Sequence, residues 1–310
     1  MNVPSNVIGE SGLESQVAAS QGIPLMQRIY WSVRRELWEN RSIYMAPLAV
    51  AALIPVGLLI STTRLPGRIR TVMGLKPSQQ QVPFDQQIGF AALLIMATMF
   101  LVAVFYCLEA LQRERRDRSI LFWKSLPVSD VVTVLSKASI PMLLIPLLTF
   151  AITIATQGVM LLLSAAVLLG RGQSVADLWS HLPLWQMSLM LLYHLVVIHG
   201  LWYAPIWAWL LLVSSWARRT AFLWAALPPL AIGVMEKIAF NTSHFGALMA
   251  YRLSGGPEGE AFSAGSMSMD PLAHLNPGRF LMSPGLWSGL VVAAVFLAAA
   301  VRLRHYREPV

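Results

Sequence analysis

The chain changes character at residues 109–137, EALQRERRDRSILFWKSLPVSDVVTVLSK, where a charged segment separates two long apolar runs. Seven charged side chains fall within residues 109–118. Each of them would cost roughly 2.5 to 3.5 kcal/mol at the centre of a bilayer, or about 20 kcal/mol together. We therefore predict that this segment stays in water, at a membrane surface, while the runs on either side cross the membrane.

The local structure of the segment follows from its spacing and its breakers. Its charges recur four residues apart, which is typical of a helix stabilised by side-chain ion pairs. Pro127 disfavours helical backbone at the residue before it, and Ser129 or Asp130 can cap a second helix. The expected structure is a helix, a sharp turn and another helix.

The composition of the chain is typical of a membrane protein that crosses the bilayer several times. Of 310 residues, 56% are hydrophobic and only 12% are charged, and the mean hydropathy is +0.60. An ordinary soluble domain carries about 25% charged residues. The net charge of +8 comes from arginines that flank apolar runs, so we expect no nucleic-acid partner.

Enzyme and metal motifs are absent from the sequence. Cys107 is the single cysteine, which excludes an intrachain disulfide and a cysteine-built metal site. The chain lacks the G-x-x-x-x-G-K-[ST] phosphate loop, the H-E-x-x-H zinc motif and the G-x-S-x-G nucleophile motif. We predict no catalytic residues, no metal site and no ATP hydrolysis by this chain itself.

The N-terminal region has two parts. Residues 1–22 are polar and are predicted to be a disordered tail. Residues 23–40 carry apolar side chains at helical spacing, arginines on other faces, and Trp31 and Trp38 at positions suited to headgroup depth. This pattern predicts an amphipathic helix lying in the membrane interface; the alternative is a solvent-facing helix packed on a soluble domain.

Apolar runs predict an all-α integral membrane fold with six transmembrane helices. The predicted spans are residues 43–60, 88–108, 139–169, 187–213, 221–235 and 286–301. The fifth is interrupted by Pro228 and Pro229 and is expected to be a broken helix. Residues 236–284 are expected to form a long external loop, with a mobile stretch at 253–269.

Basic residues near the ends of the spans predict the orientation. They cluster before the first span, between the second and third, between the fourth and fifth, and after the sixth. Both termini in the cytoplasm would place these four clusters inside. The basic loop 61–87 would then lie outside, against the rule.

Two groups of polar residues fall within the spans. His194 and His199 are five residues apart, which predicts different helix faces and does not favour haem or metal ligation. A polar stripe on the third span consists of Thr149, Thr153, Thr156 and Gln157. The stripe either lines a substrate path or serves interhelical hydrogen bonding and close packing.

At this level of detail a family resemblance is visible. The run YCLEALQRERRDRSILFWKSLPVSD, residues 106–130, followed by Lys137, resembles the loop between the second and third spans of ABC-2 type permeases. These permeases are the transmembrane subunits of ATP-binding cassette exporters. The amphipathic entry helix, the six spans, the long fifth loop, and the ending SPGLWSGL then RLRHYREP are also similar. The resemblance covers residues 41–310 as one transmembrane domain and the preceding helix as an elbow helix.

The resemblance implies a site and partners. Residues 109–126 would contain a cytoplasmic coupling helix that docks onto a separate ATPase subunit. Its expected contact residues are Glu114, Arg115, Arg118, Ser119, Phe122, Trp123 and Lys124. Two ATPase subunits, which would hold ATP and Mg²⁺, and a second permease copy or a paralogue would complete an exporter in the lipids of a bacterial inner membrane. The substrate would be a lipid, a peptide or a drug-like molecule.

Other membrane functions stay open at this point. The chain could be an ion-coupled carrier, a membrane enzyme, or an assembly or anchor subunit that needs no ATPase. A carrier would be expected to place ionisable residues inside its spans, where this chain has only the two histidines.

Overall fold

The computed structural model describes residues 24–63, 82–116, 129–170, 184–256 and 277–306. Every regular element in these ranges is helical. In chain order the elements are α1 (Leu25–Glu39), α2 (Ser42–Thr63), α3 (Val82–Ala110), α4 (Gln112–Arg116), α5 (Asp130–Ser139), π1 (Ile140–Leu144), α6 (Ile145–Leu169), α7 (Leu184–His194), π2 (Leu195–Trp202), α8 (Ala204–Trp216), α9 (Ala221–Phe240), α10 (His244–Leu253), α11 (Pro277–Leu281) and α12 (Pro284–Tyr306). The elements π1 and π2 are π-helical.

Five helical segments in the described ranges are long and apolar enough to cross a membrane. They are Ser42–Ile60, Gly89–Arg116, Asp130–Val167, Ala221–Phe240 and Pro284–Tyr306. The pair Trp185–Trp202 and Ala204–Trp216 makes a sixth if it is counted as one span bent by 47°. The predicted all-α membrane fold is confirmed at this level for the described part of the chain, which is all-helical and has five to six candidate spans.

Apolar side chains cover the outside of the bundle as well as its core. Met99, Ile198, Trp207 and Leu211 are fully buried where α3, π2 and α8 meet. Large apolar side chains on α2, α3, α9 and α12 point outward, among them Leu53, Phe105, Ile238 and Val295. An outer surface of this kind suits hydrocarbon rather than water as solvent.

The third span begins earlier than predicted, at Asp130 instead of residue 139. Of the two predicted caps, Ser129 and Asp130, Ser129 is the N-cap of α5, and its hydroxyl accepts a hydrogen bond from Val132 N–H at 3.3 Å. The helix then continues through Pro141 because π1 changes the hydrogen-bonding pattern: Ile145 N–H donates to the carbonyl of Ile140, five residues back. A capped start and a π-helical turn thus keep α5, π1 and α6 continuous.

The expectation of a broken fifth span is wrong. Helix α9 runs without interruption from Ala221 to Phe240, through Pro228 and Pro229. Proline at position 229 cannot donate to the carbonyl of Ala225, four residues earlier. The indole N–H of Trp209, from α8, donates to that carbonyl at 3.1 Å instead. A neighbouring helix therefore satisfies the group that proline leaves unpaired, as membrane helices allow.

The predicted external loop contains a helix that the sequence did not reveal, α10. The carboxylate of Glu236 accepts hydrogen bonds from the hydroxyl of Thr242 and the N–H of His244, both at 2.7 Å, and from the N–H of Phe245 at 2.8 Å. This caps the first turn of α10. The predicted mobile stretch 253–269 lies mostly outside the described residues.

Helix α10 is attached to the bundle through Arg252. The guanidinium lies over the ring of Trp202, 4.2 Å from its centroid, and donates to the carbonyl of Gly285 at 3.0 Å. The indole of Trp202 donates in return to the carbonyl of Arg252 at 2.9 Å. These contacts bring α10, the end of π2 and the start of α12 together.

Candidate functional site

Ionisable residues that are far apart in the sequence meet where several helices end. The group consists of Glu36 on α1, Glu114 on α4, Asp130 and Lys137 on α5, and Arg304 on α12. We call these five residues the buried ion network, and the side of the molecule on which they lie the network end. Apart from Asp130, their side chains are almost completely covered, with residue exposures between 3% and 6%.

Lys137 joins two carboxylates at the centre of the network. Its ammonium lies 2.6 Å from Oε1 of Glu36 and 3.1 Å from Oε1 of Glu114. The carboxylate of Glu36 also accepts the hydroxyl of Tyr106 at 3.0 Å and the side-chain amide of Asn40 at 3.3 Å. Lys137 therefore connects α1 and α4 to the start of the third span, and Tyr106 adds the end of α3.

Arg304 connects the last helix to the same site. Its Nη1 donates to Oε2 of Glu114 at 2.5 Å, and its Nε donates to Oδ1 of Asp130 at 2.8 Å. The two bonds use different edges of the guanidinium, so one side chain joins α4 and α5 to the end of α12. Glu114 is held from both sides, by Lys137 and by Arg304.

Hydrogen bonds to a serine hydroxyl and to backbone carbonyls fix α4 to the end of α8. The hydroxyl oxygen of Ser214 accepts the backbone N–H groups of Leu111 at 2.9 Å and Gln112 at 3.0 Å. Arg115 donates through Nη2 to the carbonyls of Ser214 at 2.8 Å and Ala217 at 2.9 Å. These bonds satisfy backbone groups where α3 gives way to α4 and where α8 ends.

The electrostatics of the site favour a fixed geometry. Three carboxylates face two cations, and all are largely withdrawn from water. Ion pairs in such surroundings are weakly screened by salt, and loss of one partner leaves a buried charge that costs about 3 to 5 kcal/mol. The ion pairs of the network connect its helices to one another, and this is the structural role that the arrangement supports.

Most of the predicted partner-contact residues fall outside the described residues. Arg118, Ser119, Phe122, Trp123 and Lys124 lie in residues 117–128, of which the structure describes nothing. Glu114 and Arg115 are described, and both are buried at 6% and 5% exposure. Contact of these seven residues with another subunit stays a prediction, and for Glu114 and Arg115 the structure places intrachain partners around the side chains.

The sequence alone did not reveal that these five residues meet. Glu36 was recognisable in principle, because it interrupts the apolar stripe that Val33 and Leu37 form on α1. An acidic residue on the protein-facing side of a helix requires a cation nearby. Nothing in the sequence identified Lys137 as that cation or Arg304 as its neighbour, since these positions are 101 and 190 residues from their partners.

The threonines of the polar stripe on the third span are buried in this structure. Thr149, Thr153 and Thr156 are at most 5% exposed, and Gln157 is half-buried. The hydroxyls of Thr149 and Thr156 donate to carbonyls one turn earlier in the same helix, both at 2.7 Å. These bonds lie within one helix and not between helices, so burial of the two residues agrees with close packing, and interhelical hydrogen bonding by them stays a prediction. A substrate path along the stripe stays a prediction.

The prediction that His194 and His199 lie on different faces is wrong. Their rings are 5.4 Å apart, because the π-helical stretch π2 begins between them. A π-helix bonds residue i to residue i+5, so residues five apart stack on one face. His199 also borders a small cavity with Thr149 and Trp207, and the indole of Trp207 donates to its carbonyl at 2.8 Å.

Two histidines do not complete a metal site. The described part of the chain holds no group of three or more His, Cys, Asp or Glu side chains arranged to bind a metal ion. No protein-family model, curated protein or solved structure matches this chain.

Proposed function

We propose that this chain is the transmembrane permease subunit of an ABC-2 type exporter and that it uses ATP hydrolysis by a separate ATPase subunit. The observation that carries the proposal is the buried ion network, because it joins Glu114 on α4 to α1, α5 and α12, of which α5 and α12 belong to candidate spans. Residues 106–130 resemble the coupling loop of that family, so the network would connect the coupling segment to the candidate spans.

A motor outside the membrane can move the spans only through a rigid connection. A segment attached at several charged points moves together with the helices to which it is bound, whereas a loosely tethered loop would absorb the displacement. Glu114 and Arg115 attach this segment to α5, α12 and α8. We therefore assign an anchoring role to these two residues.

Contact with the ATPase is assigned to the residues that follow. Arg118, Ser119 and Lys124 supply polar groups, while Phe122 and Trp123 supply the large apolar surface that subunit contacts favour. In this proposal residues 25–39 are the elbow helix and the network end faces the cytoplasm of a bacterial cell. ATP and Mg²⁺ would be held by two ATPase subunits that bind a permease dimer, made with a second copy or a paralogue.

The test is affinity purification of the chain from its native host in mild detergent. Phe122→Ala combined with Trp123→Ala should remove most of an ATP-binding cassette ATPase from the purified material while membrane insertion persists. Loss of about 2 kcal/mol of contact energy would weaken the complex about thirtyfold. The ATPase is identified by mass spectrometry and its ratio to the permease is measured.

A matched control changes the same residue types elsewhere. Trp185→Ala combined with Phe240→Ala removes two exposed aromatic side chains. Each lies at the end of its candidate span that is farther from the network end. This control should leave the ATPase ratio unchanged. Equal recovery of the ATPase with both double variants, or its absence from the unmodified complex, would contradict the proposal.

An ion-coupled carrier is the second candidate, and the contact between His194 and His199 favours it. Two titratable rings 5.4 Å apart inside a span are groups that a proton pathway could use. Transport by the purified chain alone in liposomes, driven by a proton gradient and lost in His199→Ala, would support the carrier over the permease.

A further inference from the structure

Helix α1 presents two different faces. Val33 and Leu37 pack against the core, and Glu36 enters the buried ion network. The opposite side carries Met26, Tyr30, Trp31, Arg34 and Trp38, all of them exposed. The side turned away from the protein is therefore rich in aromatic side chains and contains a single arginine within its aromatic stretch.

Arg34 is held between two indoles. Its guanidinium carbon lies 5.2 Å from the ring centroid of Trp31 and 5.7 Å from that of Trp38. Among the described residues it has no acidic partner. Arg35, one position along, differs in this respect: its Nε lies 2.6 Å from the carboxylate of Glu39. The stacked cation thus keeps its hydrogen-bond donors available on the outer surface.

The position of α1 determines what meets this surface. The helix ends at Glu39, and α2, a candidate span, begins at Ser42. The outer face of α1 therefore lies where the first span enters the bilayer. Tryptophan favours the depth of the lipid headgroups, and at that depth the abundant anion is the phosphate of the phospholipid.

We propose that Trp31, Arg34 and Trp38 form a binding site for the phosphate of an anionic phospholipid headgroup. Arginine pairs with phosphate through two parallel N–H bonds, and stacking on the indoles fixes the plane of the guanidinium beforehand. The indoles at the same time bury apolar surface at the edge of the acyl chains. The site depends on the membrane position of α1 and not on an ATPase partner.

The experiment measures phospholipid binding to the full-length chain in detergent by native mass spectrometry. Phosphatidylglycerol is titrated into the unmodified chain and into Arg34→Gln and Arg35→Gln. Arg34→Gln should weaken binding of the first lipid at least about fivefold, because the charged pair of N–H donors to the phosphate is lost. Arg35→Gln, with the same loss of charge on the same helix, should leave binding near the unmodified value.

Further variants and a competitor separate the alternatives. Arg34→Lys should recover only part of the affinity, because an ammonium lacks the planar pair of donors, and Trp31→Leu with Trp38→Leu should weaken binding like Arg34→Gln. Equal binding by Arg34→Gln and Arg35→Gln would overturn the proposal. Complete displacement of the lipid by millimolar inorganic phosphate would also overturn it, since the site would then hold a soluble anion.

Discussion

Lys137 is the residue on which the network end depends most. Its ammonium is shared by the carboxylates of Glu36 and Glu114, which come from helices on either side of it. With 3% of the residue exposed, solvent cannot replace it. The side chain therefore places a positive charge between two acids that would otherwise repel each other in a poorly solvated space.

Lys137→Met tests this role at nearly constant side-chain length. We expect a loss of about 3 to 5 kcal/mol of unfolding free energy, because Glu36 would become an uncompensated buried charge. Reversible unfolding of the detergent-solubilised chain in increasing dodecyl sulfate would measure the loss. Arg35→Met is the control: the pair with Glu39 is 30% and 48% exposed, so its loss should cost about 1 kcal/mol or less. Similar losses in the two variants would contradict the buried role of Lys137.

At the scale of the elements, two π-helical stretches pack against each other. Both occur where the sequence would disturb an α-helix: π1 contains Pro141, and π2 precedes Pro205 and the 47° bend at Tyr203. Gly200 on π2 lies against the backbone of Met142 on π1, and a Cβ atom at Gly200 would be 2.7 Å from the Met142 carbonyl oxygen. The absence of a side chain allows this contact.

Gly200→Ala should separate the two π-helical stretches. The opposing atom belongs to the backbone and cannot rotate away, so we expect destabilisation of about 1 to 3 kcal/mol, as for overpacking in a core. Thermal unfolding in detergent would measure it. Gly158→Ala is the matched control, because a Cβ atom there meets nothing within 4 Å. The Gly158→Ala protein should be as stable as the unmodified chain or more stable by up to about 1 kcal/mol. Equal stability of the Gly200→Ala and Gly158→Ala proteins would show that the contact between Gly200 and Met142 is not tight.

At the scale of the whole molecule, the network end gathers the ends of α1, α3, α8 and α12 and the start of α5. The described residues of the four basic clusters that predicted the orientation lie on or beside these same helices. Helix α10 and the start of α12 meet elsewhere, at Trp202. One side of the molecule thus collects the segments that the positive-inside rule places in the cytoplasm.

Cysteine labelling in intact cells tests this orientation. In a Cys107→Ala background, single cysteines at the exposed positions Arg219 and Tyr306 should react with a membrane-impermeant maleimide only after the cells are opened. Cysteines at the exposed positions His244 and Ser254, on or next to α10, should react from outside. Labelling of the Arg219 or Tyr306 position in intact cells would reverse the proposed orientation.

Local patterns in the sequence were sufficient for the helical elements. Apolar runs of span length, the Ser129 cap and the amphipathic period of residues 23–40 each depend on neighbours within a few turns. The same reasoning failed where a side chain outside a helix, or a change of helix type, altered the outcome. Trp209 bonds to the carbonyl that Pro229 leaves unpaired in α9, the π-helical stretch brings His194 and His199 together, and Glu236 caps a helix that no apolar run had indicated.

The sequence by itself determined that this chain is helical, apolar on most faces and charged between its spans, because those properties depend on composition and short periods. The tertiary structure alone decided which charges meet. The pairing of Glu114 with Arg304 depends on how the helices pack against one another. The two residues are 190 positions apart, and the spacing of side chains along the sequence does not predict contacts over that distance. Burial of the pair strengthens the attraction between the two charges and makes the loss of either partner costly, because the other would stay buried and unpaired.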